Sequence, residues 1–158
     1  MLSSPAIAAA QFLLGLPARF SNPLDRLLER AQATPLCVIA VAGPESGEVM
    51  TGLWNRGYDR VEAARHATCP SADQLADILL VCGHNRAIDA ARCLHGMKAM
   101  LRDQGQAVID AGHMTDPDER LRLCGLIAEE GFTCQPEAHL GAEIVARKLP
   151  KVRWDLAA

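Results

Sequence analysis

The sequence predicts one α/β domain built on a mostly parallel sheet, with helices on both faces and a C-terminal antiparallel hairpin. Three observations carry this expectation. The runs Leu36–Ala42 and Ala76–Cys82 (the second interrupted only by Asp77) show no polar–apolar alternation, as expected of strands buried on both faces. Stretches with helical spacing of apolar residues follow each run, which is the order of successive β-α units. Near the C-terminus, two strand-like stretches are separated by too few residues for a parallel crossover.

Composition agrees. A chain of 158 residues can bury a sizeable core as one domain, and 49% hydrophobic with 22% charged residues is the balance of a globular protein. With aromatics at 4%, the core must rest on Leu, Val, Ile and Ala. A net charge of −3 gives no electrostatic reason to expect nucleic acid, and the basic clusters Arg147-Lys148 and Lys151–Arg153 read as a solvated chain end. The six cysteines include no CxxC pair, and several sit in apolar runs. They read as reduced, buried thiols of a cytoplasmic protein. The apolar stretch Ala6–Leu16 has no preceding Lys or Arg and is too short to span a bilayer, so it is read as a helix packing on the domain.

Along the chain, residues 1–33 read as a helical segment broken at Gly15-Leu16-Pro17, and residues 34–158 as the α/β domain. The second half of that segment opens with Ser21-Asn22 as capping residues and Pro23 in the first turn, and places Leu24, Leu27, Leu28 and Ala31 on one face. The first strand is Leu36–Ala42, stopped by Gly43-Pro44. A helix over 46–56 follows, with Val49, Met50, Leu53 and Trp54 inward and Gly57 as its stop. Tyr58–Ala64 is a shorter strand, His66–Gln74 has turn chemistry, and Ala76–Cys82 is the next buried strand. The stripe Ala87, Ala90, Ala91, Leu94, Met97, Leu101 predicts a long helix ending at Gly105, before a strand over Gln106–Ala111. Asp116-Pro117-Asp118-Glu119 combines a cap, a proline and acidic residues at the start of a helix that runs to Glu130. Phe132–Ala138 and Ala142–Lys148 form the hairpin.

This order resembles the class I S-adenosylmethionine (SAM)-dependent methyltransferases. VIAVAGPESG at Val38–Gly47 is similar to the family's first strand and glycine-rich cofactor loop. Arg56-Gly57-Tyr58 resembles its helix exit, Ala76–Val81 its fourth strand, Met100–Ile109 the passage into its fifth and Ile127–Phe132 the approach to its sixth. The resemblance covers residues 36–148. It implies a Rossmann-like methyltransferase-type sheet and a SAM site at the carboxyl ends of the strands, with Gly43, Glu45, Gly47, Arg65, Gly83 and Asn85 as the residues in cofactor-binding positions. It also implies a general base drawn from His84 or His113.

The departures are specific. The family's loop is commonly GxGxG, because the backbone must come close to the cofactor. Here Glu45 holds the middle position, bulky and of the same charge as the cofactor's carboxylate. The family's acidic residue at the end of the second strand, which binds the ribose hydroxyls, falls on Ala64 or Arg65, while Glu62 lies two or three residues early. The short interval before Ala76 leaves little room for the family's third strand.

The expected function is therefore a methyltransferase-like domain that is degenerate or non-catalytic, with a ligand-binding or protein-interaction role. Its partner would be a second copy, another protein or a small molecule, and neither nucleic acid nor a membrane. The alternative is an active small SAM-dependent methyltransferase. A lesser alternative is metal binding through Cys82, His84 and His113, whose count and spacing fall short of a closed zinc site, so no metal ligand is assigned. Asp110 is well placed at a strand end but stands alone in the sequence.

Overall fold

Asn22 begins the first described helix as the sequence predicts. Its side chain accepts a hydrogen bond from the Leu24 N–H at 2.9 Å, and Pro23 occupies the first turn of α1 (Pro23–Arg30). The structure, a computed structural model, describes residues 22–64, 71–136 and 138–150. The apolar stretch Ala6–Leu16, Arg65, Cys69, most of the turn His66–Gln74 and the basic cluster Lys151–Arg153 thus lie outside the described residues.

The run Leu36–Ala42 becomes β1 (Ile39–Ala42), with all four residues buried. Its first residue departs from the prediction: Leu36 is 81% exposed, in the turn that carries the chain from α1 to the sheet. After β1 come α2 (Ser46–Trp54), β2 (Val61–Ala63), β3 (Ala76–Val81) and α3 (Ala87–Met97). The chain ends with β4 (Leu101–Asp110), α4 (Pro117–Glu129), β5 (Phe132–Cys134) and β6 (Glu143–Lys148).

The six strands form one sheet in the order β2-β1-β3-β4-β6-β5. The first four are mutually parallel, and β6 runs antiparallel to both β4 and β5. The predicted hairpin is therefore present, with β6 inserted between β4 and β5. Alternation along the buried strands feeds two cores. Ala40, Ala42, Leu79, Val81, Ala107 and Ile109 face α3 and α4, while Ile39, Val41, Ile78, Leu80, Cys82 and Val108 face α1 and α2. Helices cover both faces, as unbroken apolar runs demand.

Two predicted elements end elsewhere. The long helix stops at Met97, and one tight turn (Lys98–Met100) leads directly into β4. Leu101 is buried as expected, but as a strand residue opposite Ala76. Its register then slips: β3 advances from Ala76 to Ile78 while β4 advances from Leu101 to Gln106, and Gln104 takes φ +64° within this bulge. Gly105 marks the irregularity rather than a helix end. Trp54 is also not inward but 52% exposed, because α2 lies over β1 and a β2 of only three residues, which leaves its outer flank uncovered. Among the described residues no strand stands between β2 and β3, and no helix is long and apolar enough to cross a membrane.

Candidate functional site

In a parallel α/β sheet, ligands bind beyond the carboxyl ends of the strands, where β1, β3 and β4 deliver their following loops. Gly43 ends β1 with φ +106°, and a Cβ there would lie 2.0 Å from the Cys82 carbonyl oxygen. The loop after β1 is thus pressed backbone to backbone against the end of β3. Gly43 is needed for that contact, whatever else the loop does.

Glu45 is the residue before α2. Its side chain makes no capping bond to the helix. It runs instead across the end of β3, where its Cγ lies 2.8 Å from the point a Gly83 Cβ would occupy. Gly83, at φ +83°, leaves this path open. The Glu45 carboxylate then reaches the loop after β4, with Oε1 3.1 Å from His113 Nε2. Asp110, the last residue of β4, accepts the Gly112 N–H at 2.9 Å on its own carboxylate. Ligating atoms of Glu45, Asp110 and His113 all lie within 4.8 Å of one another.

The remaining candidates are not part of this gathered set. Cys82 is 1% exposed and points into the core under α1 and α2. Burial first, and then the nearby Asp110 and Glu45 charges, push its thiol up to about 12, the reverse of an activated nucleophile. His84 is half-buried with Nε2 enclosed and without a hydrogen-bond partner. Burial lowers its pKa, and Asp89 opposes that in part. Asn85 and Gly47 are exposed, and a Cβ on Gly47 would meet nothing within 4 Å. Arg65 lies outside the described residues.

At the end of β2, Ala63 and Ala64 carry no acceptor for a ribose. Glu62 pairs in register with Ala40, and its side chain has a buried Oε1 without a partner. With Val38, Asp59, Arg60 and Gln74 it lines a cavity of about 280 Å³, at the amino ends of β1 and β2 and away from the candidate site. A larger cavity, about 670 Å³, lies between α1 and the β5–β6 end of the sheet, lined by Arg26, Arg30, Glu143 and Arg147 among others. Glu143, on its lining, is the register partner of Asp110 across the β4–β6 pair.

Sequence reasoning placed Glu45 and His113 separately and left Asp110 alone. It missed that the three converge, because three strands of parallel sheet, β2, β3 and β4, separate Glu45 from His113 in the chain. The spacing of Asp110 and His113, three residues apart at one strand end, was the readable half of the signal. The metal set considered from sequence, Cys82 with His84 and His113, is not the one that is gathered.

No family model and no curated protein matches the sequence. Solved structures do match the fold. A 1,6-didemethyltoxoflavin-N1-methyltransferase of Burkholderia thailandensis, solved with that substrate and S-adenosylhomocysteine, is 16% identical at a TM-score of 0.51, over 95% of this chain and 92% of that one. The sugar N-methyltransferase KedS8 from a Streptoalloteichus species is 11% identical at 0.54, over 90% and 93%. DesVI of Streptomyces venezuelae is 6% identical at 0.52, over 95% and 100%. This chain has the Rossmann-like fold of class I SAM-dependent methyltransferases.

Proposed function

We propose that this methyltransferase-like fold serves as a non-catalytic module that no longer binds SAM and has turned the carboxyl edge of its sheet to another ligand or to a protein partner. The observation that carries this reading is the course of Glu45. In the family's loop, the middle glycine lets the backbone approach the cofactor. Here a carboxylate stands at that position, lies across Gly83 and joins His113, so the space is filled and negatively charged. The cofactor's own carboxylate would be repelled there. A ribose would find no acceptor at Ala63 or Ala64.

The residues present thus do not fit SAM, and no methyl-transfer step is derived for them. His113 is engaged by Glu45, and the Nε2 of His84 is enclosed away from solvent without a hydrogen-bond partner. Fold does not imply function, and this site argues for a different occupant from that of the proteins the fold resembles. Reduced thiols, a soluble cytoplasmic setting and a second copy of the chain as one candidate partner are consistent with the reading.

Calorimetric titration with SAM and with S-adenosylhomocysteine tests it, on the native chain and on Glu45→Gly. We expect no heat of binding from the native chain. A gain of binding in Glu45→Gly would identify Glu45 as the residue that closed the site. Micromolar binding by the native chain would overturn the reading and favour an active methyltransferase.

A further inference from the structure

The geometry at the carboxyl edge points to a use for the three side chains that meet there: we propose that Glu45, Asp110 and His113 form an open site for one divalent transition-metal ion of borderline character, zinc being the representative case. The inference goes beyond the reading above, since it requires only these three side chains and holds whether or not SAM binds.

One imidazole nitrogen and two carboxylate oxygens are a donor set suited to zinc, manganese or ferrous iron, and less suited to magnesium or calcium, which prefer oxygen alone. The ligating atoms lie within 4.8 Å of one another. Around a zinc ion with bonds of about 2.0–2.2 Å, tetrahedral ligands sit roughly 3.4 Å apart, so each atom needs to move by only about 1 Å or less.

Charge provides an independent reason. Glu45 and Asp110 bring two carboxylates together, and among the described residues neither forms an ion pair with a lysine or arginine. Glu45 contacts His113, and Asp110 takes the Gly112 N–H. Elsewhere, the single carboxylates of Glu143, Asp25, Glu130 and Asp77 meet Arg26, Arg56, Lys98 and Arg102 respectively. A divalent cation would remove this local excess of negative charge.

The scaffold is also preset. The missing side chain of Gly83 lets Glu45 cross the end of β3, and the Gly112 N–H orients Asp110 as outer-shell donors orient metal ligands. Three protein ligands leave at least one position for water or an anionic ligand from solvent, since Glu45 and His113 keep 39% and 49% of their side chains exposed.

The test uses the full chain after washing with a chelator, titrated with Zn²⁺ by calorimetry and with Co²⁺ by visible absorption. We expect one ion per chain and cobalt d–d bands without a thiolate-to-metal charge-transfer band. Glu45→Gln, Asp110→Asn and His113→Ala should each weaken binding by at least about tenfold, the scale on which even outer-shell partners act. Cys82→Ser should leave binding unchanged. Thermal unfolding without metal, followed for every variant, separates loss of ligand from loss of fold, and the first two substitutions preserve side-chain volume. Absence of saturable binding to the native chain would overturn the proposal. So would binding that all three variants leave intact, or a thiolate band that disappears in Cys82→Ser. SAM binding by the native chain would defeat only the reading of the previous subsection.

Discussion

Gly43 and Gly47 bound the same short turn between β1 and α2, yet their surroundings differ in kind. At the β1 end the chain is packed backbone against backbone, with the Cys82 carbonyl where a Gly43 Cβ would go and a left-handed φ besides. Four residues later, the first turn of α2 faces open space around Gly47. A sequence reading treats the two as equivalent halves of one cofactor motif. The structure assigns the first to internal packing and leaves the second with no structural demand for glycine. Retention of both glycines is therefore weak support for retention of the cofactor.

Substitution separates the two ends. Gly43→Ala should cost about 3–5 kcal/mol, since it adds a clash with fixed backbone to a strained φ. For a domain of this size that is a fall in Tm of roughly 10 °C, read by thermal unfolding. An unchanged Tm would show that the ends of β1 and β3 are not packed as described. Gly47→Ala should instead be neutral or stabilise by about 0.5–1 kcal/mol, because alanine suits a helical turn better and meets no neighbour. Destabilisation there would mean that something fills the space the described residues leave open.

Acid titration gives the shallowest test, and it sets the carboxyl edge against the opposite end of the sheet. Burial lowers the His84 pKa from its ordinary 6.5, so the folded protein binds fewer protons at this residue than the unfolded chain. That stability is full above pH 6.5 and is lost as the pH falls from there through the folded value. Glu130 closes α4 beside Lys98 and His95. The Lys98 hydrogen bond first, and His95 and Lys98 further, hold its pKa below the ordinary 4.5 despite some burial. Its contribution is present above 4.5 and lost at lower pH still. Unfolding midpoints measured across pH should therefore show two successive small losses on acidification. His84→Gln should erase the upper one, and Lys98→Met should shrink the lower, leaving the part that His95 supplies.

Much of the fold could be read before the structure. Leu36–Ala42 and Ala76–Cys82 announced buried parallel strands because burial on both faces removes alternation, and Asn22-Pro23 and Asp116-Pro117 marked helix starts through capping chemistry local to the chain. The failures have equally local causes. Leu101 fits the helical stripe of α3 as well as it fits a buried strand, and periodicity cannot choose between them. Trp54 looked inward because apolar character alone does not reveal how little of the sheet α2 has to cover. The start of α3 carries no capping side chain of its own. Its Ala87 N–H is satisfied at 2.7 Å by Glu119 from α4, a partner that no local pattern could supply.

The sequence by itself determined the α/β class, the succession of strands and helices along the chain, and the doubt cast on the cofactor loop by Glu45, since these follow from hydrophobic period, capping residues and the identity of a single side chain. Only the tertiary structure decided where that side chain goes. Parallel strands β1, β3 and β4 set residues 45, 83, 110 and 113 side by side at one edge, and the absent side chain of Gly83 opens the way across it. Convergence of that kind depends on strand order and on the space between loops, and a linear pattern contains neither.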